Sequence, residues 1–170
     1  MLNYCTKCLM PNTRPGIIFQ NNVCLPCINF EKQKTIDWDS RMIELKKLCK
    51  KYRKSNGNNY DCAIAVSGGK DSHFQVYYMK EVLKMNPVLI SCGPLDSTET
   101  GRKNLENLSD TFSCDIIMFH PNRNVSRKML KKAFLEIGQP TWYYDALIYA
   151  FPYRMTMQLG LKFLIYGENV

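Results

Sequence analysis

Six consecutive residues, Ser67-Gly68-Gly69-Lys70-Asp71-Ser72, put two flexible positions, a cation, a carboxylate and two hydroxyls within one turn of chain. Glycines let a backbone turn sharply and approach phosphate oxygens with no side chain between, and the amides of an opening helix supply donors and a favourable dipole. Lys70 can neutralise phosphate charge, Ser67 and Ser72 can donate, and Asp71 can hold Mg2+ directly or through water. Without a cation, an aspartate there would repel the ligand. The run is not a Walker A loop, because the Gly-x4-Gly-Lys-Ser/Thr spacing is missing, and no GxGxxG occurs in the chain. A plain glycine turn capped by a serine is the bland alternative, and six specified positions weigh against it.

A second constellation is built from sulfur. Cys5-x2-Cys8 and Cys24-x2-Cys27, with 15 residues between the pairs, have the layout of a four-thiolate Zn2+ site with two knuckles. With all four positions filled no site stays open for water, so the zinc is expected to be structural, set against a disulfide or redox pair. The other cysteines, Cys49, Cys62, Cys92 and Cys114, fall on apolar stripes or strands and read as buried packing.

These residues need elements to hold them. Residues 1–30 lack sustained periodicity and suit a small metal-held module, drawn as 1–36. Between Asp37 and Lys54 the residues Trp38, Met42, Leu45, Cys49 and Tyr52 recur at helical spacing, with lysines on the other face. Ser55-Asn56-Gly57-Asn58-Asn59 reads as a linker closing a 37–59 segment, and 60–170 follows as a nucleotide-binding domain. There the pattern alternates: a strand Cys62–Val66, a helix Lys70–Met85 with Phe74, Tyr77, Tyr78, Val82 and Met85 on one side, and a strand Val88–Cys92. A helix Thr98–Phe112, a strand Asp115–Phe119 and a helix Val125–Ile137 come next. A helix Tyr143–Leu159, bent or broken near Pro152, precedes a strand Phe163–Tyr166. Strands alternating with helices predict an α/β, doubly wound, mainly parallel sheet, with ligands beyond the carboxyl ends of its strands. The Ser67–Ser72 turn sits at such an end.

Composition excludes several classes. With 45% hydrophobic and 22% charged residues the chain is neither disordered nor collagen-like. No apolar run reaches the roughly 20 residues that span a bilayer, and the first residues lack a signal-peptide layout, so a cytoplasmic protein without membrane insertion is expected. The net charge of +8 is uneven: residues 1–60 hold 11 Lys/Arg against 4 Asp/Glu, and the remainder 12 against 11. That asymmetry fits a solvated helix face as well as a surface for nucleic acid or an anionic substrate.

The SGGKDS run resembles the signature of the PP-loop ATP pyrophosphatases, and that resemblance implies ATP cleaved between its α- and β-phosphates with transfer of AMP. Further stretches extend the likeness over nearly the whole chain: CTKCLMPNTRPGIIF, VCLPC, TIDWDSR, YDCAIAVSGGKDSHFQVYYMKE, TETGRKNLENLS, CDIIMFHPN, VSRKM, PTWYYDALIYAFPYRM and IYGENV. Together they resemble the N-acetyl sugar amidotransferases that make acetamidino sugars for bacterial surface glycans, of the pseudaminic or legionaminic acid and lipopolysaccharide type. The resemblance implies an adenine nucleotide alpha hydrolase-like sheet after a zinc-ribbon-like module. It also implies ATP-driven adenylylation of a sugar acetamido oxygen, displacement of AMP by ammonia, and a separate glutaminase subunit as ammonia source. Carried onto this sequence, it assigns nucleotide contacts to Ala65, Val66, Ser67, Gly68, Gly69, Lys70, Asp71, Ser72 and Gly167, and catalysis to Lys70, Asp71 and Glu168. Gly167-Glu168-Asn169 ends the last strand, so it should face the same crevice. Glu168 could assist Mg2+ or orient ammonia, against a water-facing carboxylate.

Other residues have weaker claims. Asp96, Thr98, Thr100 and Gly101 follow the second strand of the domain and could border nucleotide or sugar, or form a plain loop. His73 and His120 could approach phosphates, or be solvated. The aromatics Trp142, Tyr143, Tyr144, Tyr149, Phe151 and Tyr153 read first as helix packing and second as a sugar face. The rival function is tRNA thiolation, for which a zinc module and basic charge fit, but no Cys-x2-Cys pair follows Cys27. A non-catalytic zinc and nucleotide module is the third reading. The resembling enzymes continue well past Val170, so the sequence reads as a fragment, incomplete at its C-terminal side.

Overall fold

The computed structural model describes residues 1–53, 59–93 and 97–167. By backbone contacts the chain forms two compact units, Met1–Leu45 and Lys46–Val170, and the division falls inside a helix; of the expected linker, 54–58 lie outside the described residues.

The first unit contains a two-stranded antiparallel hairpin, β1 (Phe19–Gln20) and β2 (Val23–Cys24), then α1 (Leu25–Gln33) and the start of α2 (Trp38–Tyr52). Asn21 and Asn22, both at positive φ (50° and 63°), form the two-residue turn whose twist suits a hairpin. Among the described residues of this unit only Cys5 and Cys24 are buried. An apolar core is missing here, so sulfur must do the ordering.

The second unit is α/β. It holds β3 (Cys62–Ala65), α3 (Lys70–Tyr77) running into a π-helical turn (Tyr78–Val82), β4 (Pro87–Cys92) and α4 (Glu99–Phe112). β5 (Ile116–Phe119), α5 (Arg123–Ile137), α6 (Trp142–Gln158) and β6 (Leu164–Ile165) complete it. The four strands are all parallel in the order β5-β4-β3-β6. Strand order thus advances from β3 through β4 to β5 and then returns to the other side of β3. Right-handed crossovers put α3 and α4 on one face and send α6 across the other, the doubly wound arrangement. On the α6 side, Ala63, Val88, Ile90 and Leu161 pack with Phe151, Met155 and Leu159. β4 is buried at all six positions, as a central strand covered on both faces must be.

Two local expectations need correcting. The helix after the turn does not run to Met85: it loosens into π geometry at Tyr78 and ends before Lys84, which is left-handed at φ 51°. The helix ends without reaching Pro87, which opens β4. Its buried stripe is Ser72, Val76, Met79 and Leu83, while Phe74, Tyr77 and Val82 of the expected face are exposed. Two stripes of helical spacing overlap in this segment, and the aromatic one is largely outside the core: Phe74 is exposed and its ring lies 5.7 Å from that of half-buried Tyr78. The second correction is to the break allowed near Pro152, for α6 continues as one helix through that residue. Proline removes the N–H that Ile148 O would accept, and the Tyr166 hydroxyl donates there (3.2 Å) and to Tyr149 O (2.8 Å).

Candidate functional site

The four cysteines of the first unit converge. All four Sγ atoms lie within 4.8 Å of one another, with Cys8–Cys24 at 3.5 Å and Cys5–Cys27 at 4.0 Å. A tetrahedron of Zn–S bonds of about 2.3 Å would separate its sulfurs by about 3.8 Å, so the donor set fits the ion. Backbone sets this up. Leu9, at φ 59°, turns the chain after Cys8 and its N–H donates to Cys5 O (3.0 Å); Cys24 ends the hairpin and caps α1, and Cys27 sits in the first turn of that helix. The N–H groups of Lys7 (3.4 Å) and Cys24 (3.3 Å) donate to Cys5 Sγ. Such donors favour the thiolate, and the Cys5 pKa is lowered to about 6, with the Cys24 N–H the largest cause. Cys27 is pushed up to about 12, chiefly because its side-chain hydrogen bonds to Cys8 and Cys24 favour the protonated thiol, with burial and the charge of Cys24 adding to this. The chain thus carries a four-cysteine cluster able to coordinate a metal, consistent with a small zinc-ribbon-like module.

The second site lies where the sheet reverses order, outside the carboxyl ends of β3 and β6. Register places Ile165 beside Ile64, which brings Gly167 to the same edge as Val66 and Ser67. Between these ends is a cavity of about 310 Å³ lined by Ala65, Val66, Ser67, Gly69, Asp71, Gln75 and Gly167 on one side. Ile90 and Cys92 of β4 and Tyr144, Ile148, Tyr149, Pro152 and Tyr166 give the other side an apolar, aromatic wall. Open α/β sheets bind ligands at this topological position.

The turn itself is held shut by its own serines. Ser67 N–H donates to Ser72 Oγ (3.0 Å), the two hydroxyls lie 3.3 Å apart, and Gly69 N–H donates to Ser67 Oγ (3.4 Å). Ser72 is buried, so its hydroxyl is a strap across the loop. Gly68 is left-handed (φ 82°), and a Cβ there would come 3.2 Å from Leu105 of α4; no other residue type fits without strain. Gly69 precedes α3 with no side-chain cap, leaving the first-turn amides of α3 facing the crevice mouth. Lys70 and Asp71 are exposed there and form no ion pair among the described residues. Thus Ser67, Gly69, Asp71 and Gly167 meet in one cavity with Ala65 and Val66, whereas Gly68 and Ser72 build the turn behind it. Glu168, like Asp96, lies outside the described residues.

The remaining candidates divide. Thr98 caps α4, its Oγ1 accepting from Gly101 N–H (3.1 Å). His73 N–H (3.2 Å) and Nδ1 (3.0 Å) both approach Gly69 O. The ring of His120 covers Gly93, where a Cβ would fall 2.5 Å from its Nδ1. The aromatic run of α6 is not one packing stripe: Phe151 stacks on Phe119 (5.0 Å), Tyr144 and Tyr149 face the cavity, and Trp142 and Tyr153 are exposed. Tyr144 donates to Cys92 O (2.9 Å), and burial pushes its hydroxyl up to about 12.

Sequence reading missed Gln75. It lies on the same helical face as Asp71, four residues on, and that spacing was the available signal. Its carboxamide lies against Gly167, where a Cβ would sit 1.8 Å from Nε2, and its Oε1 is buried with no donor among the described residues.

No protein-family model matches the chain. It is similar to the uncharacterized protein MJ1599 of Methanocaldococcus jannaschii, 26% identical over 175 aligned residues, which cover 98% of this chain and 59% of that protein. The chain therefore spans about three fifths of the length of the curated relative it matches.

Proposed function

We propose that the crevice binds ATP and that the whole protein is an ATP-dependent amidotransferase, converting the acetamido group of an N-acetylated sugar to an acetamidino group. The observation that carries this is the coincidence of position and composition: Ser67–Ser72 stands at the point where strand order reverses, with Gly167 opposite and an apolar wall beside it. An adenine ring suits that wall, and a triphosphate suits uncapped amides flanked by an unpaired lysine.

An amide oxygen is a poor leaving group. In the proposed reaction it attacks the α-phosphorus of ATP, pyrophosphate departs, and the amide nitrogen loses its proton. Ammonia then adds to the activated carbon and AMP departs with the former amide oxygen. The protein supplies charge and position rather than a nucleophile. Lys70 and the α3 amides would stabilise negative charge on the phosphates, while Gly68 and Gly69 let the backbone approach them. Asp71 would hold Mg2+ directly or through water, the ion contributing charge neutralisation. Glu168 is retained as a candidate for metal or ammonia orientation. Ammonia would come from a separate glutaminase subunit, and neither nucleic acid nor membrane insertion is part of this reading. Zn2+ on Cys5, Cys8, Cys24 and Cys27 would be structural. A cytoplasmic location is proposed for the enzyme; no helix among the described residues is long and apolar enough to cross a membrane.

Cys92 borders the cavity and so keeps tRNA thiolation as the second reading, yet burial raises its pKa, the wrong direction for a sulfur nucleophile at neutral pH. One assay separates the two: the intact protein with ATP, ammonium and candidate nucleotide-activated or nonulosonic acetamido sugars. AMP with a sugar product one mass unit lighter, NH having replaced O, is the expected result. ADP formation, or AMP released only with tRNA and a sulfur donor, would sink the proposal.

A further inference from the structure

Gln75 is the one cavity-lining polar side chain here whose polar atom is both buried and unpartnered among the described residues. An amide oxygen packed without a donor costs stability, and such groups persist where something else repays them. The surroundings show what access it has. Gln75 stands one helical turn after Asp71 on α3 and lines the same cavity. The bare Cα of Gly167 gives the carboxamide room to lie across the end of β6, at the junction between the phosphate end of the cavity and its aromatic wall. Its needed partner is an N–H or O–H donor arriving at that junction.

We propose that Gln75 positions the amide of the substrate, its Oε1 turning into the cavity to accept the acetamido N–H; this rests on the amidotransferase reading above. An acetamido group must present its oxygen to the α-phosphorus, which leaves its N–H pointing away and in need of an acceptor. A hydrogen bond from that N–H to Gln75 raises electron density on the amide oxygen, making it a better nucleophile, and fixes the plane of the group for attack. An ester or ether at the same sugar position offers no such donor and would leave Oε1 unsatisfied. Gln75 thereby selects amides.

The test compares Gln75→Met, which keeps length but removes the acceptor, with Gln75→Glu, which keeps an acceptor oxygen, in the intact protein. With wild type first shown to make the acetamidine, Gln75→Met is expected to raise the KM for the acetamido sugar or lower kcat/KM by about tenfold, the worth of one hydrogen bond. ATP affinity should stay within about twofold by the same reckoning, and the melting temperature should be unchanged or higher, because an unsatisfied buried oxygen has gone. Gln75→Glu should recover part of the loss. A merely structural glutamine would instead lower the melting temperature in both variants. Unchanged sugar kinetics, or a loss of ATP affinity that accounts for the whole defect, overturns the assignment while leaving the amidotransferase reading intact. Failure of wild type to amidate any acetamido sugar removes the reading itself, and this inference with it.

Discussion

The four-cysteine module and the crevice above β3 and β6 use the same local device, a tight turn that aims backbone amides inward, but they treat those amides differently. In the module, N–H groups already donate to Cys5 Sγ, the four thiols converge on one another, and two of them are the only buried side chains among the described residues of the unit. Around the crevice the turn is strapped by Ser67 and Ser72, yet Lys70 and Asp71 form no ion pair and Gln75 Oε1 has no donor among the described residues. The unit with the crevice has a core of Ala63, Val88, Ile90 and Leu161 to hold it without a ligand. A closed donor set serves folding, and an open one beside an independent core is free to serve chemistry.

The largest effect should come from removing the metal. Zinc binding supplies an apparent ~10–16 kcal/mol to structural four-thiolate sites, far more than a 45-residue unit without an apolar core can replace. Chelation, or Cys24→Ser, is expected to collapse the NMR dispersion of residues 1–45 while signals from β3, β4 and α6 persist. Metal analysis should give one zinc per chain beforehand. Retention of a folded module with no bound metal would break the contrast between the two regions.

Next is the open set. Asp71→Asn and Lys70→Ala should lower ATP-dependent pyrophosphate release by about 10²–10³-fold, the usual worth of a charge aimed at a reacting phosphate. Because both side chains are exposed and form no ion pair among the described residues, the unfolding midpoint in urea should shift by no more than about 0.5 kcal/mol equivalent. A large loss of stability would mean that these groups belong to the scaffold after all.

Gly68→Ala probes the boundary between scaffold and site. The added Cβ meets Leu105 at 3.2 Å on a residue at φ 82°. Left-handed strain alone costs about 1–2 kcal/mol, and displacement of α4 or of the turn should weaken nucleotide binding as well. Calorimetry and an ATP titration on the same variant would show whether the two losses travel together. Stability lost with full ATP affinity would separate Gly68 from the site.

Sequence pattern reached these regions unequally, for physical reasons. The turn, the four cysteines and the alternation of strands with helices were legible because glycine spacing, thiol spacing and buried runs are local properties; the strand order β5-β4-β3-β6 is tertiary and was not. The extent of the helix after the turn was not. Phe74, Tyr77 and Val82 mimic a buried stripe, and only tertiary packing chose Val76 and Met79 instead. α1 escaped notice because none of its residues is buried, leaving Pro26 in its first turn as the sole cue. Tyr144 and Tyr149 of the aromatic wall stood among the candidates, but the unbroken helix that carries them was missed for a different reason: Tyr166 supplies the donor that Pro152 withholds from Ile148 O, a partnership between an element end and a helix interior that no local pattern encodes. Gln75 belongs to the same class, since its significance appears only when Gly167 lies against it.

The smallest expected effect concerns how each region handles sulfur. Backbone donors lower Cys5 to about 6, whereas Cys62, buried in β3, is pushed up to about 12, chiefly by desolvation and then by the nearby charge of Asp61. For Cys62 the folded value lies above the ordinary 9.0 of an unfolded thiol. Its contribution to stability is therefore complete below pH 9 and is lost as pH rises from 9 towards 12. Unfolding free energy of the second unit should decline across that window with a slope of up to about 1.4 kcal/mol per pH unit from this group. Cys62→Ala, which costs about 1 kcal/mol at neutral pH for the lost packing, should flatten the decline by that amount. Thiol alkylation at about pH 8, below the ordinary thiol pKa, should likewise leave Cys62 unmodified in the folded chain. If Cys62 reacts at the rate of an exposed thiol, or the alkaline slope is the same without it, burial is not what sets its behaviour, and the division between a thiolate cluster in one unit and a neutral core thiol in the other fails at that residue.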